Sequence, residues 1–351
     1  MRLALRRRLW LGSAVLVGGA LLAVSALVQL PFIELSPGPT YNTIGDIAGK
    51  AVIEISGTPT FPTSGHLDMT TVNERGGPDT GIYVGRVLIG WADPRSRIVP
   101  RESFFPDPVS GEEVHAENVR QFNDSESNSM AAALAYLGRP VLRIVVVSSL
   151  LTGSPSDGKL EPGDQILAIG SSAVTSVDDV TAAMSGVTPG AKVDVRVVRG
   201  GAESIQSIVT AVSPQDPARA FLGISVGQAL RAPFHLTVTL EGVGGPSAGT
   251  MFSLGIIDKL TPGELTGGKY VAGTGTITPD GTVGGIGGIE QKMLGARVAG
   301  ATLFLAPAEN CADVLDADIP DGLTVARIST LAEAVAAVEA YAAGKAVTPC
   351  T

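Results

Sequence analysis

Two stretches of this 351-residue sequence hold residues able to do chemistry. The first is Gly242-Val243-Gly244-Gly245-Pro246-Ser247-Ala248-Gly249. Its glycines let the backbone turn sharply, and a helix is expected directly after them. Ser247 would open that helix, where unpaired backbone N–H groups and the helix dipole suit a developing oxyanion. A serine hydroxyl still needs a base. The only histidines are His66, His115 and His235, and none accompanies a G-D-S-G-G or G-x-S-x-G run. The second stretch runs from Thr274 through a glycine loop at 284–288 to Lys292, whose neighbours Ile289, Met293, Leu294 and Val298 are apolar. A desolvated ammonium loses its proton readily, so a buried Lys292 can act as a neutral base. Thr274, polar in a small and apolar segment, could hydrogen-bond that amine. Taken alone, these residues leave a plainer reading open: a capping serine and a solvated lysine.

The elements that must position these residues follow from hydrophobic period and breakers. From 220 to 343 strands and helices alternate. Strands are expected at 235–240, 270–278, 301–305 and 323–328, and helices at 247–260, 289–299 and 331–343. The first helix would carry Met251, Leu254 and Ile257 as an apolar stripe. Upstream, 141–148 reads as a strand, 160–170 as a turn and strand, and 177–184 as a helix capped by Ser176. Two further strands, 192–199 and 204–212, are joined by Gly200-Gly201. From 34 to 137 the pattern is mixed: strands at 51–55 and 66–72, then prolines at 94, 100, 106 and 108 that argue against regular structure. A helix from 112 ends at Gly138.

Residues 9–30 carry no charge and follow Arg2, Arg6, Arg7 and Arg8. At ~1.5 Å per residue this run covers the roughly 30 Å of a bilayer core. The arginines place the N-terminus in the cytoplasm and the rest of the chain outside it. Trp10 stands where an interfacial aromatic would. A cleaved signal peptide ending near Val24-Ser25-Ala26 is the rival reading, and both export the remainder. The net charge of -9 and pI of about 4.9 exclude the basic footprint of a nucleic-acid binder. Cys311 and Cys350 are too few for a zinc site. In an exported domain they suggest a disulfide that pins the C-terminal tail, with two buried free thiols as the alternative. No metal and no cofactor are expected.

The run Leu160-Glu161-Pro162-Gly163-Asp164-Gln165-Ile166-Leu167-Ala168-Ile169-Gly170 resembles the core of a PDZ domain. Such domains capture extended peptides at a sheet edge. No G-L-G-F-like run accompanies it, and 148–154 is the candidate ligand loop; a mere spacer is the alternative. Residues 220–343 resemble the proteolytic domain of the Lon family. Gly245-Pro246-Ser247-Ala248-Gly249 matches the family's nucleophile motif. Thr274-Gly275-Thr276-Ile277-Thr278, Gly281, Ile286-Gly287-Gly288 and Lys292 match its second motif in order. The resemblance implies Ser247 as nucleophile, Lys292 as general base, and Thr274, Ala248 and Gly245 in support. Gly244 departs from it, since the family often has an acidic residue there. No G-x-x-x-x-G-K-[ST] run occurs in the chain.

The whole resembles bacterial membrane-anchored, PDZ-containing Lon-like serine proteases, which gives an α+β class. The expected division is 1–33 (cytoplasmic stub and transmembrane helix), 34–138 (a mixed segment that could join the catalytic domain), 139–214 (PDZ-like), 217–344 (Lon-type) and 345–351 (tail). The implied function is an ATP-independent endopeptidase using a Ser-Lys dyad on exported or membrane-associated proteins. Its partners would be protein or peptide substrates, the membrane through one helix, and, by analogy with Lon rings, copies of itself. A PDZ-type scaffold with a weak or self-processing protease domain is the competing reading.

Overall fold

The structure, a computed structural model, describes residues 2–105, 109–240 and 242–351, and leaves the side chains of 2–9, 11, 14 and 22 outside the described residues. In chain order its main elements begin with α1 (Arg2–Leu27), β1 (Phe32–Asn42), β2 (His66–Arg75), α2 (Val84–Ala92), β3 (Arg97–Pro100) and α3 (Gly111–Tyr136). There follow β4 (Leu142–Leu150), β5 (Gln165–Ile169), α4 (Val177–Ser185), β6 (Lys192–Arg199), β7 (Ala202–Val209) and β8 (Ile224–Arg231). The last part holds α5 (Gly249–Leu260), β9 (Tyr270–Gly273), β10 (Thr276–Ile277), β11 (Val283–Gly284) and α6 (Ile289–Ala299). It closes with β12 (Leu303–Pro307), α7 (Cys311–Asp316), β13 (Thr324–Ile328) and α8 (Leu331–Ala342).

Contacts divide the chain into two compact units: one of 1–54, 59–136 and 237–351, the other of 55–58 and 137–236. In the first, one sheet runs in the order β13-β12-β9-β2-β1-β3. The four strands from β13 to β2 are parallel, and β1 and β3 add antiparallel edges. Half of this sheet therefore comes from the segment 34–138, and half from beyond residue 237. The prolines at 94 and 100 do not prevent regular structure, because β3 is an edge strand bounded by Pro100 and only β1 lies beside it. Pro106 and Pro108 lie outside the described residues.

Helix α5 is the centre of this unit. Met251, Phe252, Leu254 and Ile256 are fully buried, as are Ser253 and Thr250. The expected single stripe was too narrow: sheet, α3 and α8 enclose the helix, and an apolar circumference is what such a position demands. Ser253 satisfies its hydroxyl by donating to the Ser129 and Gly249 carbonyls. On the other face of the sheet, Ile289, Met293 and Ala296 of α6 pack with Ala272, Phe304 and Val314. Cys311 and Cys350 are joined by a disulfide across a sequence separation of 39, and Cys350 packs against this same core.

The second unit is an antiparallel sheet in the order β7-β6-β5-β4-β8. Val145, Val147, Ile166, Val193, Val195, Val197 and Ile208 form its core with Val180 of α4. Ser176 caps α4 in a reciprocal capping box with Asp179. Gly200 and Gly201 both have positive φ, as a two-residue hairpin between β6 and β7 requires.

The N-terminal run does form a helix, α1. Among the described residues, however, no helix is long and apolar enough to cross a membrane. The expected transmembrane segment thus finds no support in the structure, and part of it falls on side chains outside the described residues.

Candidate active site

The loop before α5 is held from two sides. From α3, the Asn118 carbonyl accepts the Gly245 N–H at 3.0 Å, and Ser125 Oγ donates to the Pro246 carbonyl at 3.1 Å. From the strand side, the Ser247 carbonyl accepts the Gly275 N–H at 2.9 Å and the Thr274 hydroxyl at 3.0 Å. Those two bonds keep Ser247 out of the helix, which begins at Gly249 with Ala248 as N-cap and not at Ser247 as its spacing predicted. Gly245 sits at φ +84, which favours glycine. Gly249 is required for space: a Cβ there would stand 2.7 Å from Ile277 Cγ2 and 2.9 Å from Ser125 Oγ.

Thr274 was expected inside a strand running over 270–278. Instead β9 ends at Gly273 and β10 begins at Thr276. Gly275, at φ +148, makes the break, and a side chain on it would strike Thr250 Oγ1 at 2.6 Å. The break turns the buried Thr274 hydroxyl to the Ser247 carbonyl and to Lys292.

Lys292 lies on α6, whose N-cap Gly288 is in the left-handed region at φ +68. Its Nζ is 2.9 Å from Ser247 Oγ and 3.1 Å from Thr274 Oγ1. The residue is 4% exposed, and among the described residues no carboxylate lies within ion-pair distance of it. Burial pushes its amine down from the usual lysine range to about 7. The displacement corresponds to about 5 kcal/mol against the charged form.

Ser247 stands between two clefts. One, of about 540 Å³, is lined by Tyr41, Met69, Asn118, Gly244, Gly287 and Lys292 among others. The other, of about 490 Å³, is lined by Pro246, Thr276, Gly285, Gly287 and Glu309 among others. Among the described residues neither the Ser247 nor the Ala248 N–H has a hydrogen-bond partner, so both can receive a ligand oxygen. No group of three or more His, Cys, Asp and Glu side chains among them could hold a metal ion.

The sequence-derived residues Ser247, Lys292, Thr274, Gly245 and Ala248 thus meet at one place, while Cys311 and Cys350 join in the disulfide. Asn118 and Ser125 were missed. They lie on a long polar helix, where neither motif nor period marks them. In the second unit, the candidate ligand loop 148–154 is split. Ser148, Ser149 and Leu150 belong to β4, which lies between β5 and β8. β8 is one of the sheet's two edges, with β7 at the other, and is entered through Phe221-Leu222-Gly223 with Gly223 at φ +76, a run that no motif marked.

Known proteins match along the same lines. The family model of the Lon protease (S16) C-terminal proteolytic domain matches residues 221–340, and a PDZ-domain model matches 120–210. The chain is 37% identical over 119 residues to Lon protease 1 of Sorangium cellulosum, covering 33% of this chain and 14% of that protein. It is 34% identical over 114 residues to Lon protease of Mycolicibacterium smegmatis, covering 31% and 14%. Lon protease 1 of Bacillus subtilis is 38% identical over 91 residues, covering 25% and 12%. The chain therefore spans only a small fraction of the length of these relatives. The PDZ domain of an SdrC-like protein from Listeria monocytogenes is similar at 20% identity, over 23% of this chain and 85% of that one, with a TM-score of 0.22. That overlap is too small to bear on the fold. Residues 221–340 thus match a Lon-type serine-peptidase domain, in one chain with a match to a PDZ domain.

Proposed function

We propose that the chain is a serine endopeptidase in which Lys292 activates Ser247 and the PDZ domain captures extended peptide. One observation carries the reading: a buried lysine amine, with no carboxylate partner among the described residues, 2.9 Å from a serine hydroxyl at a cleft. Thr274 gives the contact a direction. Its hydroxyl hydrogen goes to the Ser247 carbonyl, so its oxygen accepts an N–H from Lys292. In the neutral amine the nitrogen lone pair is then left for the Ser247 hydroxyl hydrogen. Lys292 takes that proton as Ser247 Oγ attacks the peptide carbonyl. The Ser247 and Ala248 N–H groups receive the oxyanion. Lys292 returns the proton to the leaving amine; neutral again, Lys292 then deprotonates a water that attacks the acyl-enzyme, and gives that proton back to Ser247 Oγ as the acyl group leaves.

Peptide capture is supported by the free edge of β8, to which an added strand can hydrogen-bond. Independence from ATP is supported by the lack of a G-x-x-x-x-G-K-[ST] phosphate loop in these 351 residues. Attachment to a membrane, with the peptidase outside the cytoplasm, rests on sequence alone: the charge-free run 9–30 behind four arginines. Release of the full chain from membranes by alkaline carbonate would remove it.

The test of the dyad is labelling by a fluorophosphonate. Wild type should label at Ser247. Ser247→Ala should not label at all, and Lys292→Ala should label at least ~10³-fold more slowly. Undiminished labelling of Lys292→Ala would leave Ser247 without its base and sink the reading.

A further inference from the structure

A second set of residues holds the glycine loop beside Ser247. Glu309 Oε2 accepts the Gly285 N–H at 2.7 Å. Asn310 Oδ1 accepts the Ile286 N–H at 2.9 Å, and Asn310 Nδ2 donates to the Ile286 carbonyl at 2.9 Å. Asn310 is 5% exposed, and its amide also reaches Asp313. The approach is close: a Cβ on Gly285 would stand 2.8 Å from Glu309 Oε2 and 3.2 Å from Glu309 Cβ. Three loop backbone groups are thereby consumed by two adjacent side chains.

The next residue is left in the opposite condition. Gly287 is exposed, lines both clefts with Ser247, and has open space where a Cβ would be. Among the described residues no hydrogen bond engages its N–H or its carbonyl. An exposed donor and acceptor on one glycine, at the wall of a peptide cleft, match the acceptor and donor of a substrate main chain.

We propose that Gly287 is a docking point for the substrate backbone, and that Asn310, with Glu309, is the positioning residue that fixes it. This rests on the Ser247–Lys292 reading. Among the described residues neither side chain hydrogen-bonds to Ser247 or Lys292, so the effect should fall on chain binding and not on the reactivity of Ser247. Asn310→Asp keeps the acceptor for the Ile286 N–H but sets a carboxylate oxygen against the Ile286 carbonyl. Asp313 faces the same position, so this variant should be impaired at least as much as Asn310→Ala.

The experiment compares two probes on the full chain. Fluorescein-labelled unfolded casein needs backbone docking, while a small fluorophosphonate needs only Ser247 and Lys292. For Asn310→Ala the KM for casein should rise roughly tenfold, with kcat and the labelling rate within about threefold of wild type. Glu309 is exposed, so Glu309→Ala should fold whatever Asn310→Ala does, and should show a smaller rise in KM of the same kind. Parallel loss of labelling and casein turnover would mean that these residues merely support the dyad. Unchanged KM in both variants would mean that the loop holds no substrate. Either result overturns the proposal. A wild type that neither labels nor cleaves fails before any variant is read, and removes the dyad reading and this proposal together.

Discussion

Each unit buries ionisable groups, and two of them, Asp164 in one and Lys292 in the other, are treated in opposite ways. In the PDZ unit, Asp164 of the Leu160–Gly170 run is 1% exposed. Arg199 meets it with Nε and Nη2, each at 2.7 Å, and the Glu161 N–H adds a third bond at 2.9 Å. Burial alone would push this carboxyl up, but the hydrogen bonds and charge of Arg199 outweigh it and hold the group below its usual value. In the peptidase unit, Lys292 is comparably buried, and among the described residues its amine meets only two hydroxyls. Burial therefore acts on it unopposed and brings it to about 7. A paired buried charge stays charged and serves structure. An unpaired one becomes a base at neutral pH.

The sharpest way to break the comparison is to remove one partner of the paired site. Asp164→Ala takes one carboxylate from Arg199, which is 39% exposed and keeps Glu161 as a partner, and leaves the Glu161 N–H without its acceptor, so the PDZ unit should lose roughly 1–3 kcal/mol. Urea unfolding followed on that unit checks it, and labelling of Ser247 should persist where the PDZ unit has melted. Loss of labelling in step with that melting would show that the two sites are not independent.

The unpaired site should respond with the opposite sign. Lys292→Met should abolish turnover yet raise stability by up to about 4 kcal/mol. For the sign, the folded value lies below the unfolded value near 10.5, so between about 7 and 10.5 the unfolded chain binds more protons. Wild-type stability therefore rises with pH across that window, and the advantage of Lys292→Met is greatest below pH 7 and fades towards 10.5. Paired melting curves at pH 6 and pH 9 measure it. The same titration governs activity, since only the neutral amine accepts the Ser247 proton. In wild type kcat/KM should rise about tenfold per pH unit below 7 and level off above it.

The smallest expected effect is at Thr274. Thr274→Val removes one bond to the Ser247 carbonyl and one to Lys292 without a change in volume. Turnover should fall roughly tenfold, and the midpoint of the pH profile should move by less than about one unit, because desolvation and not this hydroxyl sets it. A pH profile on the variant checks both.

Much of this was legible in the sequence because local chemistry dictates it. The capping box of Ser176 and Asp179 lies within one helical turn. The Gly200-Gly201 hairpin needs two positive φ values that only those residues supply readily. Helix α6 was read to the residue because Gly288 and Gly300, both left-handed, bound it. The spacing of Ser247, Thr274 and Lys292 was readable as a motif, although nothing in it states that Lys292 is buried.

Other features had no local signal. Ser247 falls outside α5 because its carbonyl is claimed by Gly275 and Thr274, far along the chain. Residues 97–100 form a strand because β1 offers them an edge, against the local evidence of the prolines. Residues 32–42 and 66–75 complete the peptidase sheet, with β2 pairing in parallel with β9, which comes much later in the sequence. What the sequence by itself determined is which residue types stand ready and which short elements bear them, since those depend on neighbours a turn or a hairpin away. Only the tertiary structure decided that Lys292 is left without a carboxylate beside Ser247. Desolvation depends on everything packed around a group, and here that packing is supplied by segments hundreds of residues apart.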